Sequence, residues 1–399
     1  MLGALADGVT DIAHLAPGRD VAATIGCLQT LGVSIEATGP GAVRVHGRSG
    51  ADFRSPAQPV DAMNSGTTMR LLSGIIAGYP VSATLIGDES LSRRPMRRVI
   101  EPLTSMGARI ESQDGRPPLE IRGGSLDGIT WSPPVASAQV KSAILLAGLR
   151  ARGTTTVNEV MNTRDHTERA FPIFGLKSEV NATSCSVSGG QRAVAPSGLL
   201  TVPGDPSSAA VWAAAAAALP GSDVRLEQLC LNPLRLGFAR ALARMGATIE
   251  IDNRDERAGE PVGSMRVRHA GHAHTTIEPH DVPDLIDELP VLAARAALGG
   301  RLEVRGAGEL RVKESDRITA LVTGLRRLGV DAEELPDGFI VRGDRRPTGG
   351  SADAVGDHRL VMAFTLVALG AAGPSVIHGA DAVGVSYPRF EQDLADLTA

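Results

Sequence analysis

The sequence predicts an α/β protein of two domains, each built from three copies of one helix-and-strand unit. Three observations carry that prediction. A short tag recurs as LGVSIE (31–36), MGARIE (106–111), MGATIE (245–250) and LGVDAE (328–333). Small-residue apolar helices recur as LGALADG (2–8), LLSGIIAG (71–78), AILLAGL (143–149), AAVWAAAAAALPG (209–221), VLAARAALGG (291–300) and FTLVALGAAG (364–373). Finally, Pro203 and Gly204 in LLTVPGD (199–205) break the pattern before the fourth copy, which predicts domains at 1–202 and 203–399.

Each element of the unit has a local reason. The first helix runs into a β-rich stretch: VTDIAHL, VSATLIG, TTTVNEV, DVRLEQL, RLEVRGA and PSVIHGA in turn. A polar loop and a second helix follow, and that helix ends in the tag. Its glycine, just past the last apolar helical position, is the left-handed C-cap residue, and the alternation after it reads as strand. The third copy is degenerate, with FGLKSEV in place of the tag, and the sixth is cut short by the C-terminus. Copies about 65–80 residues apart are too long for the common solenoid repeats, so two three-unit domains are the simpler packing.

Composition narrows the class. The chain has 399 residues, 43% hydrophobic and 21% charged, a globular balance. A net charge of −5 and only 3% aromatic residues speak against basic-patch or base-stacking nucleic-acid binding. Cys27, Cys185 and Cys230 are odd in number and far apart, which predicts neither a disulfide framework nor a cysteine zinc site and points to a reducing cytoplasm. MLGALADGVTD has no basic n-region, and the longest apolar run, Ala209 to Leu219, is too short to span a bilayer. No GxGxxG, P-loop, GxSxG or HExxH pattern occurs. His269, His272 and His274 (HAGHAH) are read as an exposed turn rather than a metal site.

The informative segments precede the first helices. Unit two has Asn64-Ser65-Gly66-Thr67-Thr68-Met69-Arg70, and unit three Ala136 to Ser142 with Ser137, Gln139 and Lys141. Unit four has Pro203 to Ser208, unit five Asp281 to Glu288, and unit six Gly356-Asp357-His358-Arg359. These are N-cap residues, and helix N-termini are also anion sites. Unit one lacks such a segment because Met1-Leu2-Gly3 already lies inside the helix; the pattern predicts a strand and polar loop ahead of it.

Cations cluster beside these caps. SLSRRPMRRVIEPL (90–103) puts Arg93, Arg94, Arg97 and Arg98 at the start of a second helix, with Pro95 in its first turn, and Arg94 suits a bidentate phosphate or carboxylate clamp. NTRDHTERAF (162–171) holds Arg164, Asp165, His166 and Glu168. LRVKESDRI (310–318) sets Lys313 and Arg317 at the spacing of one helical face with Glu314 between them. Two cations and a carboxylate suit an anionic substrate that must also gain or lose a proton.

These segments resemble the EPSP synthase (3-phosphoshikimate 1-carboxyvinyltransferase) family. The similarity covers nearly the whole chain, in order, through NSGTTMRLLSGIIAG, GDESLSRRPMRRVIEPL, ASAQVKSAILLAGL, TRDHTERAF, PGDPSSAA, IDELPVLA, LRVKESDRI and GDHRLVMAF. The resemblance implies two inside-out α/β barrel domains of three βαβαββ-type units each, helices buried and sheets outward, closing over a cleft. It implies transfer of the enolpyruvyl group of phosphoenolpyruvate to the 5-hydroxyl of shikimate 3-phosphate, by a soluble cytoplasmic monomer with no metal or organic cofactor. By resemblance Ser137, Ala138, Gln139, Arg164, Asp287 and Lys313 hold shikimate 3-phosphate. Gly66, Arg94, Gln139, Arg317, His358 and Arg359 hold phosphoenolpyruvate. Asp287 acts as proton acceptor, and Lys313 with Glu314 forms the active-site pair, Glu314 donating the methylene proton.

The chain departs from the family at two places. A Pro-Gly-Asp-Lys-Ser-type motif followed by an arginine belongs where unit one is empty, so a start placed downstream or a truncated chain is expected. VGVSYP (383–388) lacks a lysine that some members carry. Two other readings therefore stand beside the first: a non-catalytic or truncated pseudoenzyme, and the sister enzyme that transfers enolpyruvyl to UDP-N-acetylglucosamine. The sister family carries a loop cysteine, and none of the three cysteines lies in 88–98.

Overall fold

The computed structural model describes residues 1–47 and 53–398. The chain divides into two compact units, Met1–Val202 with Arg257–Gly259, and Pro203–Glu256 with Glu260–Ala399.

Unit 1 carries three four-stranded sheets. Their strand orders are Leu199–Thr201, Val9–Ala13, Ala42–His46, Ser34–Gly39; then Val60–Asp61, Ser82–Ile86, Arg116–Arg122, Arg109–Gln113; then Thr130–Trp131, Thr154–Asn158, Ser184–Ser188, Glu179–Asn181. In each sheet the first pair is parallel (Val60 opposite Leu85, Thr130 opposite Thr156) and the others are antiparallel. Strands such as Ser82–Ile86 and Arg116–Arg122 alternate in burial, so each sheet turns one face to the core. That core is the pair of helices Gly66–Ala77 and Ala138–Gly148, buried almost all round. They pack backbone to backbone: a Cβ on Gly74 would stand 2.1 Å from Ala143 O. Buried leucines such as Leu72 and Leu145, both 0% exposed, each contribute about 1.5–3 kcal/mol by leaving water.

Unit 2 repeats the plan. Its helices Pro206–Ala218, Leu289–Ala297 and His358–Gly370 are buried in one cluster. Around them stand the sheets Asp223–Cys230, Glu260–His269, Ala247–Arg257; His274–Ile277, Arg301–Val304, Gly338–Arg342, Asp331–Leu335; and Gly350–Asp353 with Ser375–His378. The tag glycines Gly32, Gly107, Gly246 and Gly329 adopt φ of 96°, 109°, 96° and 83°, the left-handed conformation read from their position after each helix.

Three local expectations change. Arg93, Arg94, Arg97 and Arg98 do not open one helix. Asp88 caps a separate four-residue helix, Glu89–Ser92, Arg94 and Pro95 lie in a link, and the next helix is Arg97–Ser105. Pro95 keeps Arg94 out of helical conformation, so the two turns cannot fuse. Lys313 and Arg317 do not share a helical face: Lys313 follows the 3-10 turn Gly308–Val312, and Arg317 opens Arg317–Arg327 with Asp316 as its cap. In unit five a 3-10 turn at Val282–Asp284 intervenes, and Glu288, at the N-cap position of Leu289–Ala297, makes no capping bond. Its carboxylate instead accepts from Ser207 Oγ.

Candidate functional site

In unit 1, serines cap both buried helices. Ser65 accepts from the Thr68 N–H and Ser137 from the Val140 N–H. The remaining N–H groups of each first turn point out of the helix, where an anion is favoured. Side chains link the two helix starts. Gln139 donates from Nε2 to Thr67 Oγ1 at 2.8 Å, and its Oε1 accepts from Arg70 Nη1 at 2.6 Å. Arg94, 6% exposed, donates to Asn64 Oδ1 at 2.8 Å and Ser90 Oγ at 3.3 Å. A Cβ built on Gly66 would lie 2.8 Å from Arg70 Nη1 and 3.2 Å from Arg94 Nη1. Two guanidinium groups thus close over the Gly66 backbone. Gly66, Arg94 and Gln139 fall in one group, with Ser137 and Ala138 at the start of the Gln139 helix.

Arg70 belongs to the same group and was not among the residues assigned a role from sequence. Its signal was available: it lies one helical turn after Gly66, on the same face. Arg164 sits half-buried in the loop after Thr154–Asn158, next to Thr163. That loop is tied to the Ala138–Gly148 helix by Lys141, whose Nζ lies 3.4 Å from Thr163 O.

Unit 2 gathers charges of both signs. The Asp287 carboxylate faces Lys313 Nζ at 3.8 Å, Arg317 Nη1 at 3.7 Å and Arg359 Nη2 at 3.8 Å. Arg359 Nη1 also donates to the Asp287 carbonyl at 3.0 Å. Arg317 donates from Nε to Asp357 Oδ2 at 2.7 Å and from Nη2 to Asp357 Oδ1 at 3.3 Å and to Glu314. Asp357, fully buried, also accepts from Ser315 Oγ and the Arg359 N–H. Three cations, Lys313, Arg317 and Arg359, therefore stand against three carboxylates, Asp287, Glu314 and Asp357.

Burial opposes the Arg317 charge, but Asp357, Glu314 and Asp287 outweigh it and hold the guanidinium above its ordinary range. Its Nη1 is buried and makes no hydrogen bond. His358 is pushed down to about 4, first by burial and then by Arg359, so its imidazole is neutral near pH 7. The arrangement can hold anions on fixed arginines, and it sets carboxylates beside cations that an anion can compete for.

The sequence profile of "EPSP synthase (3-phosphoshikimate 1-carboxyvinyltransferase)" matches residues 1–394. A 3-phosphoshikimate 1-carboxyvinyltransferase of Acidithiobacillus ferrooxidans is 48% identical over 391 residues, 98% of this chain and 90% of that one. One of Carboxydothermus hydrogenoformans is 46% identical over 401 residues, covering 100% and 93%. The solved structure of EPSP synthase from Acinetobacter baumannii superposes with a TM-score of 0.85 at 40% identity, covering 99% of this chain and 91% of that one. The chain belongs to the EPSP synthase family.

Proposed function

We infer that this chain transfers the enolpyruvyl group of phosphoenolpyruvate to the 5-hydroxyl of shikimate 3-phosphate, releasing phosphate, as its family does. The observation that carries the reading is Asp287 within 4 Å of Lys313, Arg317 and Arg359, a carboxylate and cations together on one unit. Each substrate carries a phosphate and a carboxylate, so binding calls for several fixed cations, bidentate arginine above all. Ser137, Ala138, Gln139, Arg164, Asp287 and Lys313 are proposed to hold shikimate 3-phosphate. Gly66, Arg94, Gln139, Arg317, His358 and Arg359 are proposed to hold phosphoenolpyruvate.

The reaction is addition followed by elimination. The acceptor hydroxyl oxygen bonds to the enol carbon while a proton reaches the methylene carbon; loss of a proton and of phosphate from the tetrahedral intermediate then restores the double bond. Asp287 takes the hydroxyl proton and Glu314 supplies the methylene proton. Arg317 attracts the Glu314 carboxylate at rest. An anion that competes for Arg317 loosens that attraction, so substrate arrival favours the protonated acid. His358, neutral near pH 7, adds no charge of its own to the group. No cofactor enters this scheme. We take the enzyme to act in the cytoplasm as a monomer; no helix among the described residues is long and apolar enough to cross a membrane, and sedimentation analysis tests the oligomeric state.

The test is phosphate release with both substrates present. Turnover that requires shikimate 3-phosphate supports the reading. Turnover only with UDP-N-acetylglucosamine as acceptor, or binding of shikimate 3-phosphate in calorimetry without turnover, overturns it.

A further inference from the structure

Lys141 is 1% exposed, one turn into the Ala138–Gly148 helix. Its ammonium meets three acceptors, all on the segment that follows the strand Thr154–Asn158: Glu159 Oε2 at 3.0 Å and Thr163 O at 3.4 Å in the loop, and Glu168 Oε1 at 2.6 Å in the short helix His166–Ala170. These match the three protons of the ammonium. The other oxygen of Glu159, Oε1, accepts from the Thr163 N–H at 3.0 Å and from Thr163 Oγ1. A second tie joins Ser142 Oγ to Thr167 Oγ1 at 2.7 Å. The loop is therefore fixed to the Ala138–Gly148 helix at residues 159 and 163, and the short helix that ends it is fixed at 167 and 168, so Arg164 is bracketed by those ties.

Such an arrangement is costly. Two carboxylates and one ammonium leave water, one carboxylate oxygen (Glu168 Oε2) has no partner, and apolar contacts of similar volume would hold a loop at least as firmly. What ion pairs add is direction: each bond fixes an angle and a register that leucines do not. The register fixed here is the backbone beside Arg164 relative to the first turn Ser137–Gln139.

We propose that Lys141, with Glu159, is a positioning residue for shikimate 3-phosphate: it locks the Arg164 loop against the Ser137–Gln139 helix start so that both grip one substrate. This rests on the reading that those residues hold that substrate. Lys141 itself touches no substrate; its effect passes through Arg164.

The decisive variant is Glu159→Gln. One face of that carboxylate accepts from Lys141 and the other from Thr163, and an amide can accept on only one face, so one tie must break while the Lys141–Glu168 pair survives. A displacement of about 1 Å at a binding group weakens its grip strongly, so shikimate 3-phosphate affinity is expected to fall roughly tenfold or more. The KM for phosphoenolpyruvate at saturating shikimate 3-phosphate, kcat and the melting temperature should stay close to the parent's. Lys141→Met with Glu168→Gln, which removes the buried pair together, should show the same selective loss of shikimate 3-phosphate affinity, at a lower melting temperature because Glu159 loses its counter-charge.

Arg164→Ala calibrates the measurement. If it leaves shikimate 3-phosphate affinity unchanged, the underlying site reading fails. If it weakens affinity while Glu159→Gln and the double variant do not, the site stands and the positioning role is wrong. A proportional loss for both substrates together with a lower melting temperature also overturns the proposal, because it marks a general structural defect.

Discussion

Two arginines of unit 2, Arg295 and Arg317, are wholly buried and held in opposite ways. Arg295 lies in the last turn of Leu289–Ala297. It donates to the carbonyls of Gly299, Met245 and Gly271 at 2.8, 2.9 and 2.7 Å, and its Nη1 lies 3.1 Å from His272 Nδ1. None of these acceptors is a carboxylate. Met245 is the C-cap of Gly237–Arg244, so its carbonyl sits at the negative end of a helix dipole. Burial pushes Arg295 down to about 10, which leaves it charged at neutral pH. Arg317 is ringed by Asp357, Glu314 and Asp287. Backbone acceptors cannot swing away, titrate or yield to a ligand, whereas side-chain carboxylates can do all three. The first arginine is therefore held as a pin, and the second by partners that a bound anion could displace.

Replacing Arg317 should have the largest effect. Arg317→Met leaves Asp357 buried without its counter-charge, which costs about 3–5 kcal/mol of stability. It also removes a fixed anion donor, worth on the order of 10³ in kcat/KM. Phosphate-release kinetics and urea unfolding measure both, and retained activity would erase the contrast. Arg295→Met should cost about 3 kcal/mol by leaving buried carbonyls unpaired, yet the folded enzyme should keep its kcat/KM within about twofold. If its activity falls with Arg317-like severity, the pin reading is wrong.

The sequence displayed the repeat far better than it displayed this pair. The tag glycines and alternating strands are local signals, and each tag glycine adopts the backbone conformation its position demands. Arg295 carries no such signal, because its acceptors are backbone carbonyls from three separate turns. One of them, Gly271, lies in the HAGHAH segment, expected to be a plain exposed turn. There His272 meets Arg295, and His269 Nδ1 sits 2.9 Å from Ala217 O. Spacing misled at Lys313, where four residues suggested a helix face but the chain turns before Asp316. Asp357 was visible as a cap; that it neutralises Arg317 depends on tertiary contact across 40 residues of chain. The roles given to Ser137 and Arg164 came from family resemblance, since a cap serine and a loop arginine have no individual signature.

Unit 1 offers an intermediate case that sharpens the contrast. Arg70 and Arg94 donate to neutral oxygens, as Arg295 does, but these belong to the side chains of Gln139, Asn64 and Ser90, which can adjust. Gly66→Ala would place its methyl 2.8 and 3.2 Å from those two guanidinium groups. The clash is with the ends of flexible side chains, so the fold should survive while the arginines shift. The KM for phosphoenolpyruvate should rise about tenfold, equivalent to ~1.4 kcal/mol, with a melting temperature near the parent's. An unchanged KM would mean that the arginines near Gly66 are held for structure, as Arg295 is.

The last effect expected, comparable in size, is a pH dependence at His358, beside the Arg317 cluster. Burial lowers its pKa in the folded protein to about 4 from an ordinary value of 6.5. Between those values the unfolded chain binds a proton that the folded chain refuses, so stability is intact above pH 6.5 and drains as pH falls toward 4. From pH 7 to pH 5 this one group should remove about 1–2 kcal/mol. Other groups titrate in the same window, so the measurement is a difference: unfolding free energies of the parent and of His358→Leu at both pH values. The parent should lose more than the variant by that amount. Equal losses would mean that His358 is solvated well enough to take up its proton in the folded state. The Arg317 cluster would then be open to water, and the contrast with the sealed Arg295 would rest on accessibility rather than on the kind of acceptor.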